Sequence, residues 1–414
     1  MTRKGVWDIQ DVRDKLLAGD PWEFKYQMWN FGPSGTGNLG HNKNPGGAVV
    51  PPAKKLGDYN QAISGPNQSL LTKADNTLWS CGYGGGGQLG INQGKTGSGY
   101  WSNYHSRSSP VQVPGTTWSS IACGNSVSLA TRTDGTLWSW GKNSSGELGI
   151  SQPTNSWRSS PTQVGSDTTW MTGINYGDQQ KLSASSQPGS SHCLAIKTDG
   201  TLWAWGENYE GHLGHNDVTP RNSPVQVGSS TDWAYCSAGE IYSGALKTDG
   251  TAWAWGRNSV GQLGQNNRTN YSSPVQVPGT DWTKISATQS SGGNIALLKS
   301  NGTAYVMGSN ATGEIGNGYS PSTGSNGAQG VSRPTQIPGS YYTIACCGET
   351  TVLHKTDGSL WGTGGNWGTG NPVPTSSPVR IGSKTWYLYN DKSTIFGNDR
   401  NVWLVRPNMT PAEL

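Results

Sequence analysis

The sequence predicts an all-β chain: a seven-bladed β-propeller of four-stranded antiparallel blades, with a short helical segment at the N-terminus. Three observations predict it. One phrase recurs, as DGTLWSWGKNSSGELG at 134–149, DGTLWAWGENYEGHLG at 199–214 and DGTAWAWGRNSVGQLG at 249–264. Weaker copies start at Asp75 and Asn301, and a degenerate one at Asp357. The spacing between copies reaches 65 residues, the range of propeller blades rather than of short solenoid repeats. Each unit also carries three more strand-like pieces and no helical periodicity. Finally, residues 26–40 repeat the last strand and its turn with no such pieces before them.

The elements of one unit follow in order. SSPVQVPG at 108–115 is the first strand, entered through a Pro that cannot donate to a ladder. TTWSSIACG at 116–124 is the second, SVSLATR at 126–132 the third and TLWSWG at 136–141 the fourth. The Asp-Gly between the last two is a strong hairpin signal. Seven such sets are counted, the last at 377–405. The orphan strand near the N-terminus, with Trp29 and Phe31 in place of Trp138 and Trp140, closes the ring by pairing with the last set, because closure removes exposed edges. That last set already ends in a similar strand at 402–405, so two copies compete for one place, and the choice stays open.

Composition supports a packed fold. Of 414 residues 61 are Gly and only 13% are charged, yet 20 are Trp. A buried aromatic ring removes about 150–250 Å² from water, so the core is built from indoles. Trp138 and Trp140 lie two apart and share a strand face, which packs them between blades. A net charge of +4 without a basic run gives no nucleic-acid footprint. No apolar stretch reaches the roughly 18 residues of a membrane span. Arg3 and Lys4 precede a polar segment, so no secretory signal is expected. The predicted organisation is a docking segment at 1–21, the propeller at 22–405 and a tail at 406–414.

Signals for chemistry are sparse. Cys123, Cys236 and Cys346 share one repeat position, which suits buried thiols better than disulfides. The G-x-G-x-x-G matches at 35–40 and 85–90 lack the helix that would face a pyrophosphate. His212 and His215 sit three apart on a turn, and Asp134, Asp199, Asp249 and Asp357 occupy hairpins where Asp tolerates the backbone angles. No catalytic residue, cofactor or metal is expected.

The phrase DGxLWxWGxNxxGxLG, followed by SPxxV and a Cys-Gly turn, resembles the regulator of chromosome condensation repeat propellers over about residues 22–405. The chain departs from members that carry a basic tail. Trp157-Arg158-Ser159-Ser160 is its nearest text to the Trp-Arg-His-Thr clusters of the plant ultraviolet-B photoreceptor branch, and it lacks the His. Neither function transfers.

Loop length singles out one face. Two connections after the GxLG turn hold nine residues (215–223 and 265–273), whereas 91–109 holds nineteen and 317–333 seventeen. A long connection after Trp170 falls on the same face. Candidate contacts there, for protein or glycan, are Tyr100, Trp101, Tyr104, His105, Trp157, Arg158, Tyr176 and Tyr319.

At the N-terminus, Asp8 caps a helix running to Ala18, and Gly19 ends it. Val6, Trp7, Ile9, Val12, Leu16 and Leu17 are the candidate anchoring residues. GVWDIQDVRDKLLAGDPW resembles a segment of virion and tail proteins of tailed bacteriophages. That resemblance implies a non-enzymatic structural or binding protein, located in the virion and assembled in the host cytoplasm. Its N-terminus would hold other virion proteins and its long loops a host-surface glycan or protein, without nucleic acid or membrane span. The alternative is a soluble protein-binding propeller that inhibits or regulates an enzyme.

Overall fold

Alternating side chains on TLWSWG-type strands present one face to each neighbouring layer, and the chain stacks these layers as successive sheets. A computed structural model describes residues 26–33, 48–54, 59–93, 106–152, 154–173, 180–187, 191–289, 293–319, 330–365, 374–381, 395–397 and 402–407. Six four-stranded antiparallel sheets follow one another from Tyr59 to Arg380. In one of them Trp118–Cys123, Val127–Arg132, Leu137–Asn143 and Ser156–Gln163 lie side by side in that order. The inner strands, Tyr59–Ser64, Trp118–Cys123, Leu182–Ala184, Trp233–Ala238, Trp282–Ala287 and Thr343–Cys347, touch one another in succession.

The strand grouping differs from the sequence expectation. The Ser-Pro strand, read as the first of its unit, is the outermost of the preceding sheet: Ser156–Gln163 pairs with Leu137–Asn143. An edge suits it, because Pro has no N–H for a further partner. The pairing also slips between Arg158 and Thr162, around Pro161, and the other five such pairings slip likewise.

A further sheet joins the two ends of the chain in the order Ala48–Lys54, Tyr26–Pro33, Val402–Pro407, Ile395–Gly397. Trp29 pairs with Leu404 and Phe31 with Val402. The two similar strands therefore do not compete. Tyr26–Pro33 occupies the third position and Val402–Pro407 the second. Among the described residues there is no α-helix, and none long and apolar enough to cross a membrane. The helix predicted at 8–18 lies outside the described residues.

The two Trp of the phrase have different jobs. The second is buried and reaches across to the preceding sheet: the indole N–H groups of Trp140, Trp205 and Trp255 donate to the carbonyls of Gln88 (3.0 Å), Glu147 (3.0 Å) and His212 (2.9 Å). In the sixth sheet Thr363 makes the same link with its hydroxyl, 2.9 Å from the Glu314 carbonyl. The first Trp is half-buried and belongs to the hairpin. Asp134 Oδ1 accepts from the backbone and hydroxyl of Thr136, and Thr136 Oγ1 accepts from Trp138 Nε1 at 2.8 Å. The same relay runs from Asp75, Asp199, Asp249 and Asp357. Asp is thus chosen as an acceptor, while Gly135 carries the left-handed angle at φ 80°.

Cations finish the hairpin. The Arg132 guanidinium lies 4.0 Å from the Trp138 ring centroid, and Lys197 Nζ lies 3.8 Å from that of Trp203. Near the axis, Ser183, Ser237 and Ser286 each accept a backbone N–H from the next inner strand, at 2.9–3.0 Å. All six Cys are buried, and none is in a disulfide.

Candidate functional site

Up-and-down sheets put the connections between first and second strands, and between third and outer strands, on one face. That is the face with the long connections at 91–109 and 317–333, whereas the one expected there after Trp170 mostly interrupts an inner strand, between the Trp170–Lys197 bridge and the Leu182–Ala195 pair. Four of the exposed large apolar side chains lie on that face: Trp157 (44% exposed), Tyr209 (46%), Val218 (57%) and Tyr319 (64%). The remaining one, Val379, lies on a rim strand.

The scaffold behind them is rigid for a legible reason. Asn143, Asn208, Asn258 and Asn310, at one place of four phrases, each brace their own loop. Asn208 Oδ1 accepts the Leu213 N–H at 2.8 Å while its amide donates to Asp217 and Thr219. Asn310 accepts from Ile315 and donates to the Tyr319 carbonyl at 2.8 Å. An Asp217–Arg221 ion pair (2.6 Å) ties the loop that carries Val218. Trp157 stands beside Gly86 of the preceding sheet's turn, and the Arg158 guanidinium donates to the Trp157 carbonyl at 3.0 Å. The structure therefore places Trp157, Arg158 and Tyr319 on the predicted face, in separate sectors. Tyr100, Trp101, Tyr104, His105 and Tyr176 lie outside the described residues, as do Val6, Trp7, Ile9, Val12, Leu16 and Leu17.

Tyr209 was not anticipated. It packs edge-on against His212, with centroids 5.6 Å apart at 81°. His212 in turn lies 4.7 Å from His192, and both imidazoles are fully buried. A signal for this was present: the GxLG turns read Gln88, Glu147, His212, Gln262 and Glu314, and only one is a His.

At the other turns this side chain accepts a backbone N–H two residues earlier. Gln88 takes that of Gly86, Glu147 that of Ser145, Gln262 that of Val260 and Glu314 that of Thr312. Burial raises the carboxyl pKa of Glu147 and of Glu314, because the charged form loses water. Glu147→Gln should therefore stabilise the fold at pH 7 by about 1 kcal/mol, since the amide accepts the same N–H without a buried charge. The folded carboxyl binds its proton above the unfolded value, so the wild-type deficit shrinks as pH falls through the folded pKa. Urea midpoints at neutral and acid pH should show a gain that fades.

The opposite face is compact, made of Asp-Gly hairpins. A groove of about 340 Å³ near its rim is lined by Trp170, Lys197 and Trp203, and Lys197 is ion-paired to Asp167. That cation is already partnered.

The described sheets, stitched by indole and hydroxyl bonds and presenting one aromatic-bearing loop face, define an all-β repeat protein of the propeller type. The regulator of chromosome condensation (RCC1) repeat matches residues 75–131, 134–181, 199–246 and 249–294, and a second form of it matches 118–147 and 182–211. Together these cover just over half of the chain, which belongs to the RCC1 repeat family. The chain is 28% identical over 204 residues to the human probable E3 ubiquitin-protein ligase HERC3, covering 48% of this chain and 18% of that protein. It is 34% identical over 110 residues to the Arabidopsis thaliana ultraviolet-B receptor UVR8, covering 27% of this chain and 22% of the receptor. In fold it is similar to Prp20p from Saccharomyces cerevisiae, with a TM-score of 0.73 at 18% identity over 94% of this chain and 93% of that one. The matched stretch spans between 3% and 35% of the curated relatives' own lengths, about a fifth for HERC3 and the receptor.

Two expectations are corrected. The virion reading rested on fewer than twenty N-terminal residues, and the sequence relatives are instead ligases and a photoreceptor carrying these repeats. The phage resemblance has no support among them. The expectation that the protein is not an enzyme is overturned as well, because the relatives include E3 ubiquitin-protein ligases. This chain matches under a quarter of their length.

Proposed function

We propose that this propeller is a protein-binding module that regulates an enzyme, and that it meets its partner through the long-loop face. The observation that carries the reading is the placement of Trp157, Tyr209, Val218 and Tyr319 on that one face, above loops braced by Asn and ion-pair contacts. Exposed aromatics on a rigid backing are what interface hot spots are made of. The ring is taken as closed and seven-bladed, a reading supported by the sheet that joins Tyr26–Pro33 to Val402–Pro407. Prp20p, whose described binding is to Gsp1p and histones, offers a precedent for protein binding by this fold.

Photo-crosslinking amino acids at positions 157, 209 and 319, compared with positions 75, 249 and 357 on the hairpin face, test the reading in the source cells. Crosslinks to one protein from the first set alone are expected. Equal crosslinking from the hairpin face would overturn it. With that partner in hand, Trp157→Ala should weaken binding about 30-fold, the effect of a hot spot of about 2 kcal/mol, without moving the melting temperature.

A further inference from the structure

His212 departs from its four sibling turns at a cost. Gln or Glu at that place accepts a backbone N–H, whereas His212 accepts none, and its ring has no side-chain partner, only the Glu207 backbone carbonyl beside it. The second departure touches the first. His192 opens its strand where the other sheets have Gln68, Val127, Tyr242, Asn294 and Thr350, and its Nδ1 is without a partner. His192 Nε2 pairs with Ser243 Oγ at 2.9 Å, and that hydroxyl donates to the His212 carbonyl at 2.7 Å. Ser243 and Trp255 belong to the next sheet, so the two rings sit at the junction of two sheets. Tyr209, exposed on the loop face, rests on this pair.

Buried imidazoles so poorly supplied with partners call for a physical account. A metal would need more ligands, and among the described residues no three of His, Cys, Asp and Glu come together. The other ionisable groups on the surrounding elements are Cys193, Glu207, Tyr209, Glu210, Tyr242 and Arg257. Glu210 accepts from Asn270, Arg257 donates to Ser259, and Cys193 donates to the Glu147 carbonyl, so these groups are occupied away from the rings. Burial outweighs the one group that favours a charged ring, the Glu207 backbone carbonyl beside His212.

We propose that His192 and His212 form an acid-sensitive latch: acidification charges the pair, loosens the turn at 207–214 and withdraws Tyr209 from the loop face. The latch stands on the buried ring pair, but its consequence for a partner rests on the proposed binding role. Burial supports it, pushing His212 down to about 3 and His192 well below its ordinary value. Both folded values lie below the unfolded one, so opening takes up protons. It becomes easier as pH falls below about 6.5, by up to tenfold per pH unit for each His.

Hydrogen exchange tests the latch without any partner. Protection factors of the 207–214 turn should fall between ten- and a hundredfold per pH unit below about 6.5. The sibling turn at 257–264, which has Gln262 instead, should hold steady and serves as the internal reference. His212→Gln adopts the residue of two sibling turns and should abolish at least half of the logarithmic fall. His192→Gln, matching Gln68, is the second variant should the first not fold. Equal falls in both turns, or a fall unchanged in the His192→Gln/His212→Gln protein, would overturn the latch. So would one equivalent of zinc protecting the turn at neutral pH, which would make the pair a metal site. None of these outcomes depends on the crosslinking result.

Discussion

Trp255→Ala should lower stability by about 3–5 kcal/mol, read from urea midpoints. The indole is fully buried, lies 6.4 Å from the Trp233 ring and crosses to the preceding sheet to donate to the His212 carbonyl. Truncation leaves a void at the junction of two sheets, whose inner strands cannot close over it without breaking their own ladders. The carbonyl itself keeps the Ser243 hydroxyl, so most of the loss is packing rather than an orphaned acceptor. Two comparisons sharpen the expectation. Trp253, half-buried and held in the hairpin relay, should cost less when truncated. Trp255→Met should also cost less than Ala, because Met307 fills the corresponding place in the next sheet against Gly264. Equal losses for Trp253→Ala and Trp255→Ala would show that the cross-sheet role is misassigned.

Gly149→Ala should be the next most damaging change, at about 2–5 kcal/mol. The residue closes its GxLG turn at φ 67°, and an added Cβ would sit 2.8 Å from Trp205 Nε1. Strain and overlap therefore act together. Gly165→Ala separates them: its φ is 64°, but nothing lies within 4 Å of an added Cβ. That variant should lose only about 1 kcal/mol, the cost of the backbone angle alone. Similar urea midpoints for the two variants would mean that the Trp205 contact yields easily.

Much of this was legible in the sequence because the fold repeats its own grammar. Each phrase marks a third strand and its hairpin, three of them also a cross-sheet indole, and the strands fall where the phrase predicts. What misled was the boundary of the unit. A sequence repeat has no marked beginning, and the Ser-Pro strand is adjacent in sequence to the inner strand that follows but hydrogen-bonded to the sheet before it. Its Pro and its bulge were the physical hints of an edge. The last set misled differently: 402–405 reads as a fourth strand like TLWSWG, but it pairs between Ile395–Gly397 and Tyr26–Pro33. The His pair was less visible. His192 and His212 are twenty residues apart, one opening a strand and one in a turn, and only pairing of His192 with Gly206 brings them together. Loops remain the hardest part. Trp157 and Tyr319 stand exposed as anticipated, yet nothing in a loop's composition says what it grips.

The joint between the chain ends also sets a clock for synthesis. Tyr26–Pro33 is made before its partner Val402–Pro407, which emerges some 370 residues later. At about 5–20 residues per second the early strand waits roughly 20–75 s for its mate. During that interval the six intervening sheets can form in the order they are translated, each finding its strands locally. The first-made strand meanwhile offers a bare edge to any passing chain. Completion of this sheet thus waits until residues 402–407 emerge, and until then Tyr26–Pro33 is open to mispairing along that edge.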